Sequence, residues 1–68
     1  MKPETLSRAL ACVNDIASHS ARGDVVLASV SRRTLNDLCC QYDADTGGFT
    51  YPAVIRDALR AAGLRETA

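Results

Sequence analysis

The segment that most resembles a chemical site is DADTGGFTYP, which begins at Asp43 like a calcium-binding loop. Such a loop supplies side-chain oxygens at positions one, three and five and a glutamate at position twelve. Asp43, Asp45 and Gly48 fit positions one, three and six, but position five is Gly47 and position twelve is Val54. Too few oxygen ligands remain for tight binding, so no metal site is predicted here.

The same segment is better explained as a connector between two helices. Aspartate favours turn initiation, the Thr-Gly-Gly run permits positive φ, and Pro52 is suited to the first turn of a helix. Two positions are possible for the aromatic side chains of Phe49 and Tyr51. They either pack onto the core or are exposed and form a contact surface. Core packing is the preferred prediction, because the chain has few other large side chains.

Cys12, His19, Cys39 and Cys40 are the residue types of a zinc site, but their spacing is wrong. Cys12 and His19 are two helical turns apart, about 10 Å along the axis, and two adjacent cysteines point in different directions. No cofactor is therefore predicted. Catalysis is not expected either, because the sequence has no GxSxG and no phosphate-binding glycine loop, and so short a chain rarely builds a catalytic cleft.

Length, charge and cysteine content narrow the class of protein. The chain has 68 residues, formal net charge zero and no tryptophan, which predicts one domain, 1–68, with a small aliphatic core and no overall field that attracts nucleic acid or membrane. An odd number of cysteines argues against a secreted disulfide framework. No apolar run has signal-peptide or membrane-span length, so a soluble, cytoplasmic protein is expected.

Two amphipathic helices are predicted at about 3–22 and 52–62, each with an apolar arc at 100° per residue and a glycine after it. The apolar arc of the first helix comprises Leu6, Ala9, Leu10, Val13, Ile16 and Ala17. The arc of the last helix comprises Val54, Ile55, Ala58, Leu59 and Ala62.

The middle segment is harder to assign. From Ser31 onward, Leu35, Leu38, Cys39 and Tyr42 form one apolar arc, but the valines at 25, 26 and 30 lie away from it. A single helix would place those valines in water, so a break near 29–31 is predicted, with Ser31 as the N-cap of a helix over 31–42. Residues 24–29 form a short extra element, either helix or strand. The predicted fold is an all-α bundle of three main helices.

The stretch 28-ASVSRRTLNDL-38 resembles the turn and recognition helix of helix-turn-helix DNA-binding domains. The resemblance implies that Arg32, Arg33 and Asn36 face the DNA groove, and the helical wheel independently places these three outside the apolar arc. Arginine and asparagine can contact guanine and adenine edges in the major groove. A DNA-binding regulator is therefore one functional hypothesis.

The preferred hypothesis is a small protein-interaction module, such as an adaptor, inhibitor or regulatory subunit, that binds a larger protein. Small proteins of mobile genetic elements are similar in size and style. Aromatic residues and arginine are favoured interface anchors, and homodimerisation is compatible with either hypothesis. An exposed apolar patch would favour a protein partner, and a contiguous basic patch would favour DNA. The predicted contact residues are Arg32, Arg33, Asn36, Tyr42, Phe49 and Tyr51.

Overall fold

The computed structural model describes residues 1–67 as three helices and one short β-hairpin. In chain order the elements are α1 (Pro3–Ala21), α2 (Val25–Cys39), β1 (Gln41–Asp43), β2 (Gly48–Thr50) and α3 (Ala53–Ala61). Helix α1 packs against both α2 and α3. The predominantly helical fold is confirmed, and α1 and α3 lie within one residue of their predicted limits.

A small core lies between the three helices. Its apolar members are Ala9, Val13, Ile16, Leu35, Cys39, Tyr51, Ile55 and Leu59. Five of the six residues of the apolar arc predicted for α1 belong to this core or pack against it, namely Leu6, Ala9, Leu10, Val13 and Ile16. The buried arc of α3 is narrower than predicted, because Val54 at its start is 52% exposed.

The predicted break near residues 29–31 is wrong, because α2 is continuous from Val25 to Cys39. Asp24 is its N-cap, and the Asp24 Oδ1 accepts a hydrogen bond from the Leu27 amide at 3.1 Å. Gly23 lies in the short turn between α1 and Asp24 and has a positive φ of 73°. The break was predicted on the assumption that the valines must be buried, whereas α2 leaves them in water.

The hairpin was also not predicted. Strands β1 and β2 pair antiparallel with Tyr42 opposite Phe49, so α2 ends before Tyr42 and not at it. The Asp43 Oδ1 accepts hydrogen bonds from the amides of Asp45 at 2.9 Å and Thr46 at 3.4 Å, and Gly47 has φ of 72°. The calcium-like spacing is therefore the sequence of a tight turn, stabilised by the first aspartate.

The segment after α3 folds back over the rest of the molecule. Leu64 packs against the core, and Thr67 forms an isolated antiparallel bridge with Thr50 of β2. Arg60 Nη2 lies 2.7 Å from Glu66 Oε1, and this hydrogen bond lowers the pKa of the Glu66 carboxyl. The C-terminal segment is thus bonded to α3 through Arg60 and to the hairpin through Thr50.

Within residues 1–67, no helix combines the length and the apolar character needed to cross a bilayer.

We expect Asp24→Ala to lower the free energy of unfolding by about 1 kcal/mol, because it removes the acceptor that satisfies the Leu27 amide. Urea denaturation followed by circular dichroism measures the change. Asp24→Asn is the matched control, since asparagine is an equally good N-cap. An alanine variant as stable as the asparagine variant would contradict this account of how α2 begins.

Candidate protein-interaction surface

The first half of α2 presents apolar side chains to solvent. Val25, Val26, Leu27 and Val30 are each between 46% and 74% exposed. Val26 and Val30 are one turn apart and so lie on one face of the helix. We call the three valines the valine patch; together with Ser29 and Arg33 they line a shallow groove. A cluster of exposed apolar side chains is typical of an interaction site.

A second and larger groove of about 520 Å³ lies beside the valine patch, between α2, the end of α1 and the C-terminal segment. We call it the arginine groove. The polar side chains that line it are those of Ser20, Ser29, Arg32, Arg33, Asn36 and Arg65. It shares Val25, Ser29 and Arg33 with the groove of the valine patch, so the two form one continuous surface.

Arg32 does not project outward as predicted. Its side chain is only 9% exposed, and its Nη1 donates a hydrogen bond to the Arg65 carbonyl at 3.2 Å. The guanidinium thus reaches the C-terminal segment, and most of the side chain is removed from solvent. Arg32 lies one turn before Leu35 and so on the buried side of α2, and the prediction that it lies outside the apolar arc is wrong. Arg33, by contrast, is exposed as predicted.

Tyr51 and Asn36 form a structural pair. Tyr51 is buried in the core, as preferred in the prediction, and its hydroxyl donates a hydrogen bond to Asn36 Oδ1. Asn36 is half-buried and lies in the wall of the arginine groove. Tyr51 therefore cannot serve as an accessible contact residue in this conformation, whereas Asn36 can.

The hairpin presents an exposed aromatic pair. The rings of Tyr42 and Phe49 meet edge to face with centroids 5.6 Å apart, and both side chains are exposed. Core packing, the preferred prediction for Phe49, is thus wrong. Phe49 lines a small groove with Asn36, Asp37 and Cys40, which adjoins the arginine groove at Asn36.

The three thiols are free, with Cys39 buried and the other two half-buried. Burial raises the pKa of the Cys39 thiol, and the neighbouring Cys40 and Cys12 raise it further. Burial also raises the pKa values of Cys12 and Cys40. These thiols therefore remain protonated and weakly nucleophilic at neutral pH. In the described part of the chain, no group of three or more histidine, cysteine, aspartate or glutamate residues is placed to hold a metal ion.

Sequence reasoning missed two parts of this surface. The valines were recognised as lying off the apolar arc, but that signal was used to break the helix when it indicated an exposed patch. Leu64 and Arg65 follow α3 in a segment without periodicity, so nothing local in the sequence indicates that they line a groove.

No protein-family model matches the chain, and comparisons with curated proteins and with solved structures give no significant match.

The two adjacent arginines should differ in their effect on stability. We expect Arg32→Ala to lower the free energy of unfolding by about 2 kcal/mol, because a charged donor to a carbonyl and a packed stem are lost. Arg33→Ala should change it by no more than about 0.5 kcal/mol, as is usual for exposed positions. Urea midpoints of the two variants measure the difference. Equal midpoints would contradict the structural role of Arg32.

Proposed function

We propose that this protein is a small, non-enzymatic interaction module that acts as an adaptor, inhibitor or regulatory subunit by binding a larger protein. The observation that carries the proposal is the valine patch on the first two turns of α2. The partner would cover this patch and extend towards the aromatic pair on the hairpin.

The valines of the patch add little to the stability of the isolated chain. Exposed valines contribute little to the core, and β-branched side chains lower helix propensity. Their removal from water by a partner would be favourable, by about 25 cal/mol for each Å² of apolar surface covered. A binding surface therefore explains residues that the fold of the isolated chain does not require.

The composition of the surrounding surface supports the same proposal. Arg33 borders the valine patch, and Tyr42 and Phe49 stand exposed on the hairpin. Tyrosine and arginine are over-represented among the residues that dominate binding energy at protein interfaces. Three of the six predicted contact residues therefore remain exposed and suited to this role.

The DNA-binding hypothesis has less support. The turn that the helix-turn-helix resemblance requires at residues 29–31 lies inside α2, and Arg32, one of the three residues expected to face the DNA groove, is buried. DNA binding stays a prediction.

The proposed function can be tested by photo-crosslinking in the cells that encode the protein. We expect a benzoylphenylalanine placed at Val26 to give one dominant adduct with a larger protein, because the valine patch would lie in the interface. The same photoreactive residue at Val54, an exposed valine on α3, is the matched control and should give no such adduct. Gel mobility and mass spectrometry identify the product.

A charge on the patch provides a second readout. We expect Val30→Asp to reduce the yield of the Val26 adduct roughly tenfold or more, since a buried unpaired carboxylate is strongly disfavoured, whereas Val54→Asp leaves the yield unchanged. Adducts only with nucleic acid would favour DNA binding. Adducts only of twice the chain mass would indicate a homodimer. Either result, or no adduct, contradicts the proposal.

A further inference from the structure

We infer that the arginine groove binds an acidic segment of the protein partner, with carboxylates on Arg33 and Arg65 and an apolar side chain on the valine patch. This inference rests on the proposed function and names the chemistry of the partner. It depends on three features of the groove: its charge, its available donors and its continuity with apolar surface.

The groove concentrates positive charge in a chain that is neutral overall. Eight basic residues balance eight acidic residues in the whole sequence, yet three arginines and no carboxylate line the groove. Its other polar lining includes the hydroxyls of Ser20 and Ser29, which can also donate hydrogen bonds. The local environment is therefore complementary to an anion, although the net charge gives no indication of it.

The arginine side chains retain donors for a ligand. The hydrogen bond from Arg32 to the Arg65 carbonyl uses one of the five N–H donors of a guanidinium. Arg33 and Arg65 are exposed, and the ion pair seen within residues 1–67 is that of Arg60 with Glu66, outside the groove. Asp37 lies one turn after Arg33 in α2, but these two described side chains form no ion pair. Arginine forks of this kind match the two oxygens of a carboxylate.

Part of the groove is already held in position. Asn36 Oδ1 accepts the Tyr51 hydroxyl, so the amide nitrogen of Asn36 is left as a donor at the groove wall. Arg32 is fixed by its bond to the C-terminal segment. Donors that are ordered before binding reduce the entropy lost when a ligand is bound.

Continuity with the valine patch favours an acidic protein segment over nucleic acid. Val25, Ser29 and Arg33 belong to both grooves, so a ligand that covers one meets the other. A peptide that carries both acidic and apolar side chains satisfies both surfaces. A phosphate backbone has no apolar group for the valines and binds best to an extended basic face. The volume of about 520 Å³ lies within the range of ligand pockets in proteins.

The test is a titration of the ¹⁵N-labelled protein with a capped peptide composed of glutamate and leucine, monitored by NMR. The matched probe replaces every glutamate by glutamine. We expect the glutamate peptide to bind about tenfold or more tightly than the glutamine peptide. The largest shift changes should fall at Ser29, Arg33, Asn36 and Arg65, including the side-chain Nε–H signals of the two arginines.

Charge-matched variants localise the effect. Arg33→Gln with Arg65→Gln should weaken binding of the glutamate peptide about tenfold or more, and the backbone carbonyl that Arg32 needs is retained. Arg8→Gln with Arg56→Gln removes the same charge from exposed positions outside the groove and should leave affinity nearly unchanged. Arg32 is not varied, because its loss would destabilise the fold.

The inference is overturned if the two peptides bind equally, if the shifts lie outside the groove, or if both double variants weaken binding equally. It is also overturned if a duplex DNA shifts the same amides at lower concentration than the glutamate peptide. The proposed function fails separately. If the Val26 adduct persists in the Arg33→Gln, Arg65→Gln variant, the inference of an acidic segment is contradicted and the proposal of a larger protein partner stands. If the glutamate peptide binds but no protein adduct forms in cells, the proposal of a larger protein partner is contradicted.

Discussion

The packing of Leu35 and Cys39 into the core fixes the rotation of α2 about its own axis. With 100° between successive residues, Val26 lies on the side of the helix opposite Leu35, and Val30 lies one turn after Val26 on that same side. Val26 and Val30 then necessarily face water. The exposed surface is thus a consequence of the same helical phase that builds the core.

The sequence was sufficient to predict α1 and α3, because each carries an apolar arc wide enough to define one buried face. It was insufficient for α2, where two signals conflicted. The apolar arc that includes Leu35 indicated a helix. The valines before it were expected to be buried, and a continuous helix places them outside that arc. The assumption that β-branched residues lie inside was the error, because the valines of α2 are exposed.

The candidate site was only partly predictable for a different physical reason. Arg33, Tyr42 and Phe49 could be selected by residue type alone, since arginine and aromatic residues are common interface anchors. The groove itself depends on contacts between distant parts of the chain. Arg32 meets the carbonyl of Arg65, 33 residues later, and Leu64 reaches the core from an aperiodic segment. No local pattern encodes such contacts.

The first half of α2 has a further property that follows from its lack of burial. From Val25 to Ser31 no side chain is buried, whereas Arg32, Leu35 and Cys39 anchor the second half. Local opening of the first two turns therefore loses little apolar contact, and their amide hydrogens should exchange with solvent sooner than those of the second half. A partner that covers the valines would suppress this opening, so association and local helix stability are thermodynamically coupled. In the proposed complex, the surface that contacts the partner would then be a helical segment held by few buried side chains before the partner arrives.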